Sequence, residues 1–211
     1  MCAIIGFVSK NPSDEAIKTL KRLFLESKIR GKHAYGFAAK DKNGIIAVKE
    51  HNLKALINHI DTPNLLIGHC RYSTSGDYKN HANNQPIQFK DEYMAFNGTI
   101  DMRTKAEMEY DYNIVMESDN DGEIMLQSKD RMRLLDGNIT FAGLFLKDNE
   151  ITAFRNEHRP AYWAIKHDSL YVASTADIMI RSLLRPIPLT ANEVYKWTAW
   201  LNTSVITVNP H

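Results

Sequence analysis

The chain has 211 residues, with 26 lysines and arginines against 25 aspartates and glutamates, and an apolar fraction of 44%. That length and composition suit one large or two small globular domains able to bury a core without disulfide or metal staples, and exclude disordered, collagenous and repeat-built chains. A formal net charge of +1, with no Lys/Arg block longer than two residues, argues against nucleic acid or an anionic membrane as the main partner, because both demand a concentrated basic face.

In chain order, Cys2 to Ser9 is apolar and rich in branched side chains, which predicts a strand buried on both faces and broken by Asn11-Pro12-Ser13-Asp14. Ala16, Ile17, Leu20, Leu23 and Phe24 recur at helical steps behind Ser13 or Asp14 as N-cap. Tyr35 to Lys40 and Ile45 to Lys49 flank Asp41-Lys42-Asn43-Gly44, a β-hairpin signal in which Asn-Gly supplies positive φ. Leu53, Leu56, Ile57 and Ile60 mark a second short helix, Leu65 to Tyr72 reads as a strand, and residues 74–84 form a polar loop. Strand-like Tyr93 to Phe96 ends at Asn97-Gly98, and residues 103–130 are polar and helix-prone. Ile139 to Leu146, Ile151 to Arg155, Tyr162 to Lys166 and Leu170 to Ser174 alternate with turns as in a meander. A helix from Ala176 to Leu184 and a hairpin around Asn202-Thr203 follow. With no repeat, linker or composition shift, residues 1–211 read as a single α+β domain.

Cys2 and Cys70 are too few for a secreted disulfide scaffold, so a reducing cytoplasm is expected. No stretch approaches the ~20 apolar residues of a membrane span. In MCAIIGFVSK the nearby basic residue follows the apolar run, the reverse of a signal peptide, so the first residues are expected to belong to the fold.

Four features can carry chemistry. Removal of Met1 would leave Cys2 with both a thiol nucleophile and a free α-amine as base; equally, cysteine is a small hydrophobe that suits an inner strand. In Gly68-His69-Cys70-Arg71-Tyr72-Ser73-Thr74 an arginine at a strand end can grip a carboxylate with two parallel donors. In Phe96-Asn97-Gly98 a side-chain amide and a backbone N–H can converge on one oxyanion, or Asn-Gly is an ordinary turn. Ser118-Asp119-Asn120-Asp121-Gly122-Glu123 can hold an ammonium, or is an acidic helix start favoured by the helix dipole. The eight histidines include no His-x-x-x-His pair, so no metal and no cofactor is expected, and His33 and His69 read as packing or hydrogen-bonding residues.

Together and in this order, these features resemble the class II glutamine amidotransferase domain, the N-terminal-cysteine branch of the Ntn hydrolases, over nearly the whole chain. MCAIIGF is similar to the family's Met-Cys-Gly start, Arg30-Gly31-Lys32-His33-Ala34-Tyr35-Gly36 to its Arg-Gly-x-Asp-x-x-Gly segment, and GHCRYST to its Gly-His-Thr-Arg-aromatic-Ser/Thr motif. Asn84-Gln85-Pro86 and FNG resemble Gln/His-Pro and His-Asn-Gly. Asp121 and Glu123 resemble Asp-Thr/Ser-Glu, and Arg155 to Pro160 with Ala173-Ser174 the closing elements. Ala3, His33, Cys70 and Phe96 depart from the family's Gly, Asp, Thr and His.

The resemblance implies a four-layer αββα sandwich of two antiparallel sheets. It implies Cys2 as nucleophile toward L-glutamine, Asn97 and Gly98 as the oxyanion donors, Arg71 on the α-carboxylate and Asp121 on the α-ammonium, with Arg30 and Tyr72 orienting the site. The ammonia released would serve an acceptor synthetase or transferase on a separate chain. Two other readings remain open at this stage, an Ntn hydrolase of another γ-glutamyl amide and a non-catalytic module with this fold.

Overall fold

The apolar run after Cys2 forms strand β1 (Ala3–Ser9), buried at every position, in a computed structural model that describes residues 1–73, 76–131, 134, 139–199 and 203–207. Burial on both faces puts β1 in the middle of a sheet. It pairs antiparallel with β4 (Leu65–Arg71) on one side and β10 (Ser169–Ala173) on the other. Ala3 stands opposite Cys70, so the N-terminus and the end of β4 share one edge of the molecule. The hairpin β2 (Ala34–Asp41) and β3 (Gly44–Glu50) continues the sheet beyond β4. Strands β9 (Tyr162–Lys166) and β11 (Ile187–Pro188) extend it beyond β10, making seven strands. The second, six-stranded sheet runs β13 (Thr203–Thr207), β12 (Glu193–Thr198), β8 (Glu150–Arg155), β7 (Thr140–Lys147), β6 (Glu92–Thr99), β5 (Ile87–Phe89).

Strand alternation decides what each face touches. On β1, Ile4 and Val8 join Ile67, Leu144, Val172 and Trp197 between the two sheets. Ala3, Ile5 and Phe7 face the other way and pack with Leu20, Leu23 and Phe24 of helix α1 (Asp14–Ser27), whose N-cap is Ser13. Helices α2 (Leu53–Asn58) and α5 (Ala176–Arg181) share that layer. On the far side, Met94, Phe96, Phe141 and Phe145 of the second sheet cluster with Met108 of α3 (Lys105–Tyr112) and Ile124 and Met125 of α4 (Gly122–Gln127). The result is the αββα sandwich of two antiparallel sheets that the sequence implied.

Several expectations are corrected. The strand through Phe96 does not end at Asn97-Gly98 but runs to Thr99, because β7 supplies a ladder partner for each residue, Ala142 for Asn97 and Phe141 for Gly98. The four strands from Thr140 to Ala173 are not one meander: β7 and β8 lie in the second sheet and β9 and β10 in the first. Residues 103–130 split into α3 and α4, since Asn113 takes a left-handed φ of 51° and closes α3. In the β2–β3 turn only Gly44 has positive φ, and the Asp41 carboxylate accepts from the Asn43 N–H at 2.7 Å to close it. Thr74 of the polar loop and Asn202 of the last hairpin lie outside the described residues. Among the described residues no helix is long and apolar enough to cross a membrane.

Candidate active site

Cys2 shares the alternation of Ile4, Arg71 that of Ile67, and Asn97 that of Ala95, all residues that fill the space between the sheets. The Cys2 Sγ accepts from the Tyr72 N–H at 3.4 Å and faces the Tyr72 carbonyl oxygen at 3.5 Å. Arg30 Nε donates to the Cys2 carbonyl at 2.8 Å. Glycine is required next to it, because a Cβ on Gly31 would lie 2.4 Å from the Cys70 carbonyl oxygen. Arg30 thus meets the nucleophile candidate through its main chain. Tyr72 does so through its own main chain, while its ring is exposed and stacks on His33.

Burial pushes the Cys2 thiol above its ordinary range, against the opposing pull of the Tyr72 N–H, the N-terminal ammonium, Arg71 and Arg30. A thiol kept protonated needs a proton acceptor beside it before it can attack. Cys70, fully buried in the helix-side core, is likewise pushed up by burial and is packing.

Arg71 is buried, donating to Asn84 Oδ1 at 2.6 Å and to the Gly76 carbonyl at 3.4 Å. Asp121 holds the N-cap position of α4 but makes no capping bond there. Its Oδ2 instead accepts from the backbone N–H groups of Ile100 at 2.6 Å and Asp101 at 3.2 Å, bracing the chain just after Gly98. Burial raises the Asp121 pKa and these two donors lower it, while its charge attracts Arg71 across the site. A cation and an anion that act on each other in this way carry the two charges complementary to the ends of a free amino acid.

Asn97 is buried, and its side-chain NH2 has no hydrogen-bond partner among the described residues. A buried donor left unpaired costs about 1–3 kcal/mol, so an acceptor brought by a ligand or by water would be bound favourably there. Gly98 follows because only glycine fits: a Cβ would stand 1.8 Å from the Thr140 carbonyl oxygen.

Other residues complete the surroundings without a role assigned from sequence. Asn83 accepts from the Asp119 N–H at 2.9 Å, and Asn120 Nδ2 donates to the Asn83 carbonyl at 3.0 Å, tying the polar loop to the segment that carries Asp121. Gln85 Oε1 accepts from the Phe96 N–H at 2.6 Å. Glu123 folds the turn before α4 by accepting from the Glu117 and Ser118 N–H groups. Lys49 donates to the His81 carbonyl at 3.0 Å, and burial with Arg71 nearby lowers its pKa to about 8. The run of amides at 83–85 was the sequence signal for this network, visible as an Asn-rich loop but silent on partners. Among the described residues no group of three or more His, Cys, Asp or Glu could hold a metal ion.

No family model matches the chain. Similar proteins include the isomerizing glutamine–fructose-6-phosphate aminotransferase of Bacillus thuringiensis, 29% identical over 133 residues that cover 60% of this chain and 22% of that protein. The enzyme of the same name from Bacillus spizizenii is 25% identical over 191 residues, covering 84% of this chain and 31% of that one. The chain therefore spans less than a third of the length of these relatives. Among solved structures, glutamine phosphoribosylpyrophosphate amidotransferase from B. subtilis superposes with a TM-score of 0.78 at 16% identity, over 98% of this chain and 49% of that one. A glutamine aminotransferase class-II domain protein from Silicibacter pomeroyi gives 0.63 at 11%, over 99% of this chain and all of that one. With two antiparallel sheets between helical layers and Cys2 heading an inner strand, the chain has the αββα fold of these glutamine amidotransferase structures, and in sequence it is similar to part of the glutamine–fructose-6-phosphate aminotransferases.

Proposed function

We propose that the chain is an amidohydrolase that releases ammonia from L-glutamine through a thioester on Cys2. The observation that carries this reading is the buried, unpartnered NH2 of Asn97, held in a paired strand on the inter-sheet face that also receives Cys2 and Arg71. With Met1 removed, the α-amine of Cys2 takes the thiol proton, and the thiolate attacks the side-chain amide carbon of glutamine. The carbonyl electron pair moves to oxygen, where Asn97 Nδ2 and the Gly98 N–H stabilise the oxyanion. Collapse breaks the carbon–nitrogen bond, and the protonated α-amine returns its proton to the departing nitrogen. Water, deprotonated by the same amine, then cleaves the γ-glutamyl thioester to glutamate and regenerates the thiol.

Arg71 receives the α-carboxylate and Asp121, through its free oxygen, the α-ammonium. The relatives' names join glutamine to an acceptor sugar phosphate. We carry only the glutamine half to this chain and propose that the ammonia passes to an acceptor site outside these residues, which match less than a third of those enzymes.

The base is the α-amine, so activity requires Cys2 to be the first residue. Intact-mass spectrometry of active protein should show loss of one methionine, and Cys2→Ala should be folded and inactive toward glutamine. Full turnover by mass-verified protein that retains Met1 would overturn the mechanism, because an acylated nitrogen offers no base.

A further inference from the structure

His33 brackets the residue that holds the thiol. Its backbone N–H donates to the Arg71 carbonyl at 3.0 Å. Its ring Nδ1 lies 2.9 Å from the Ser73 N–H. Tyr72, between these two attachments, presents its N–H and carbonyl to Cys2 Sγ at 3.4 and 3.5 Å. An amide N–H only donates, so Nδ1 must be the lone-pair nitrogen and the ring carries its proton on Nε2. The ring cannot turn aside easily: Tyr72 and Tyr78 stack on its two faces, both at 4.8 Å between centroids and within 26° of parallel.

We propose that His33 is a positioning residue that makes the hold on the Cys2 thiol depend on pH: the neutral ring fixes the Tyr72–Ser73 backbone, and protonation at Nδ1 releases it. A proton on Nδ1 sets two N–H donors against each other. The Ser73 N–H then loses the ring as its acceptor; Ser73 stays tied through its Oγ to the Gly76 carbonyl at 2.9 Å, and the adjacent Tyr72 groups lose this one backbone anchor of their placement against Sγ.

The surroundings set the direction. Beyond Tyr78 lie His51, edge-on to that ring at 6.2 Å, and His81, stacked on His51 at 4.3 Å, with Lys49 on the His81 carbonyl. Across Tyr72 lie Cys2, Arg71 and Arg30, and Lys32 is the exposed chain neighbour. The acids that face this region are Glu50, toward His81, and Asp77, toward Arg71. No carboxylate takes a hydrogen bond from the His33 ring among the described residues. The segment that this one resembles has aspartate at this position, and a carboxylate accepts throughout pH 5–8. Histidine is the side chain whose ordinary titration crosses that range.

The consequence for turnover rests on the amidohydrolase reading; the consequence for the backbone does not, and two measurements separate them. In the ¹⁵N-labelled full chain, the Ser73 amide signal should move as pH falls from 8 to 5, and should stay fixed in His33→Asp and His33→Asn, whose side-chain oxygens accept in every protonation state of that range. In parallel, log kcat/KM for glutamine is measured against pH, each protein normalised to its own alkaline plateau. The wild type should fall with a limiting slope of two, from the α-amine and His33 together, and His33→Asp with a slope of one. A pH-indifferent Ser73 amide, or equal slopes in the two proteins, overturns the proposal. If no protein hydrolyses glutamine at any pH, the functional reading fails and the Ser73 titration alone decides this one.

Discussion

Asn97 and Arg71 are both buried polar side chains, yet they differ in what they lack. Arg71 has protein acceptors in Asn84 and Gly76, whereas the NH2 of Asn97 has none among the described residues. Truncating a satisfied buried donor costs stability, because its partner is stranded; truncating an unpaired one strands nothing on the donor side. Asn97→Ala should therefore reduce kcat roughly 10²–10³-fold with little change in KM, and melt close to the wild type, since the lost hydrogen bond forms with the transition state. A rise in KM alone would make Asn97 a substrate clamp instead. In the proposed roles, Arg71→Lys and Asp121→Asn act on substrate charge. Lysine cannot form the bidentate fork, and asparagine keeps an oxygen for the Ile100 and Asp101 N–H groups while losing the charge. Each should lower kcat/KM at least tenfold, about 1.4 kcal/mol, and unchanged kinetics in both would sink the assigned roles.

At the scale of elements, the oxyanion candidates depend on β6 continuing past a dipeptide that usually turns the chain. Asn-Gly here runs straight because β7 lies alongside and Thr140 closes against Gly98 too tightly for any side chain. Gly98→Ala should destabilise the protein by about 2 kcal/mol or more, because the obstruction is backbone and not a side chain that can swing away. Urea denaturation checks this, and a midpoint equal to that of the wild type would mean that β6 and β7 pair in another register. The same contrast explains what local pattern could reveal. The stripe of α1 and the branched run of β1 are set by their own residues and were legible. The passage of β6 through Asn97-Gly98, and the division of the later strands between two sheets, are set by neighbours distant in sequence and were not.

Across the whole molecule, Cys2, Arg71, Asn97 and Asp121 could be named from motif order, but their partners could not. That Asp121 braces the Ile100–Asp101 backbone, or that His33 reaches Ser73, follows only once two sheets are stacked. His69 shows the cost of that stacking. It lies on β4 between the sheets, and its ring faces the Phe96 backbone without a hydrogen bond of full geometry to either nitrogen. Burial, and Arg71 beside it, lower its pKa from 6.5 to about 3. In the folded protein the ring therefore stays neutral at acidities where the unfolded chain already binds a proton. Where the unfolded state holds more protons, stability rises with pH, so the His69 contribution is complete above about pH 6.5 and is lost as pH falls toward about 3. One such group changes unfolding free energy by up to ~1.4 kcal/mol per pH unit. Buried Asp121, whose folded pKa is raised, acts in the opposite direction, losing stability as pH rises through the carboxylate range. Between pH 6 and 4.5 His69→Phe, which keeps an aromatic ring without the titrating nitrogens, should make stability rise less steeply with pH than in the wild type. Urea denaturation at half-unit intervals reads the result directly: equal slopes in wild type and variant would show that His69 is charged, or solvated, in the folded protein.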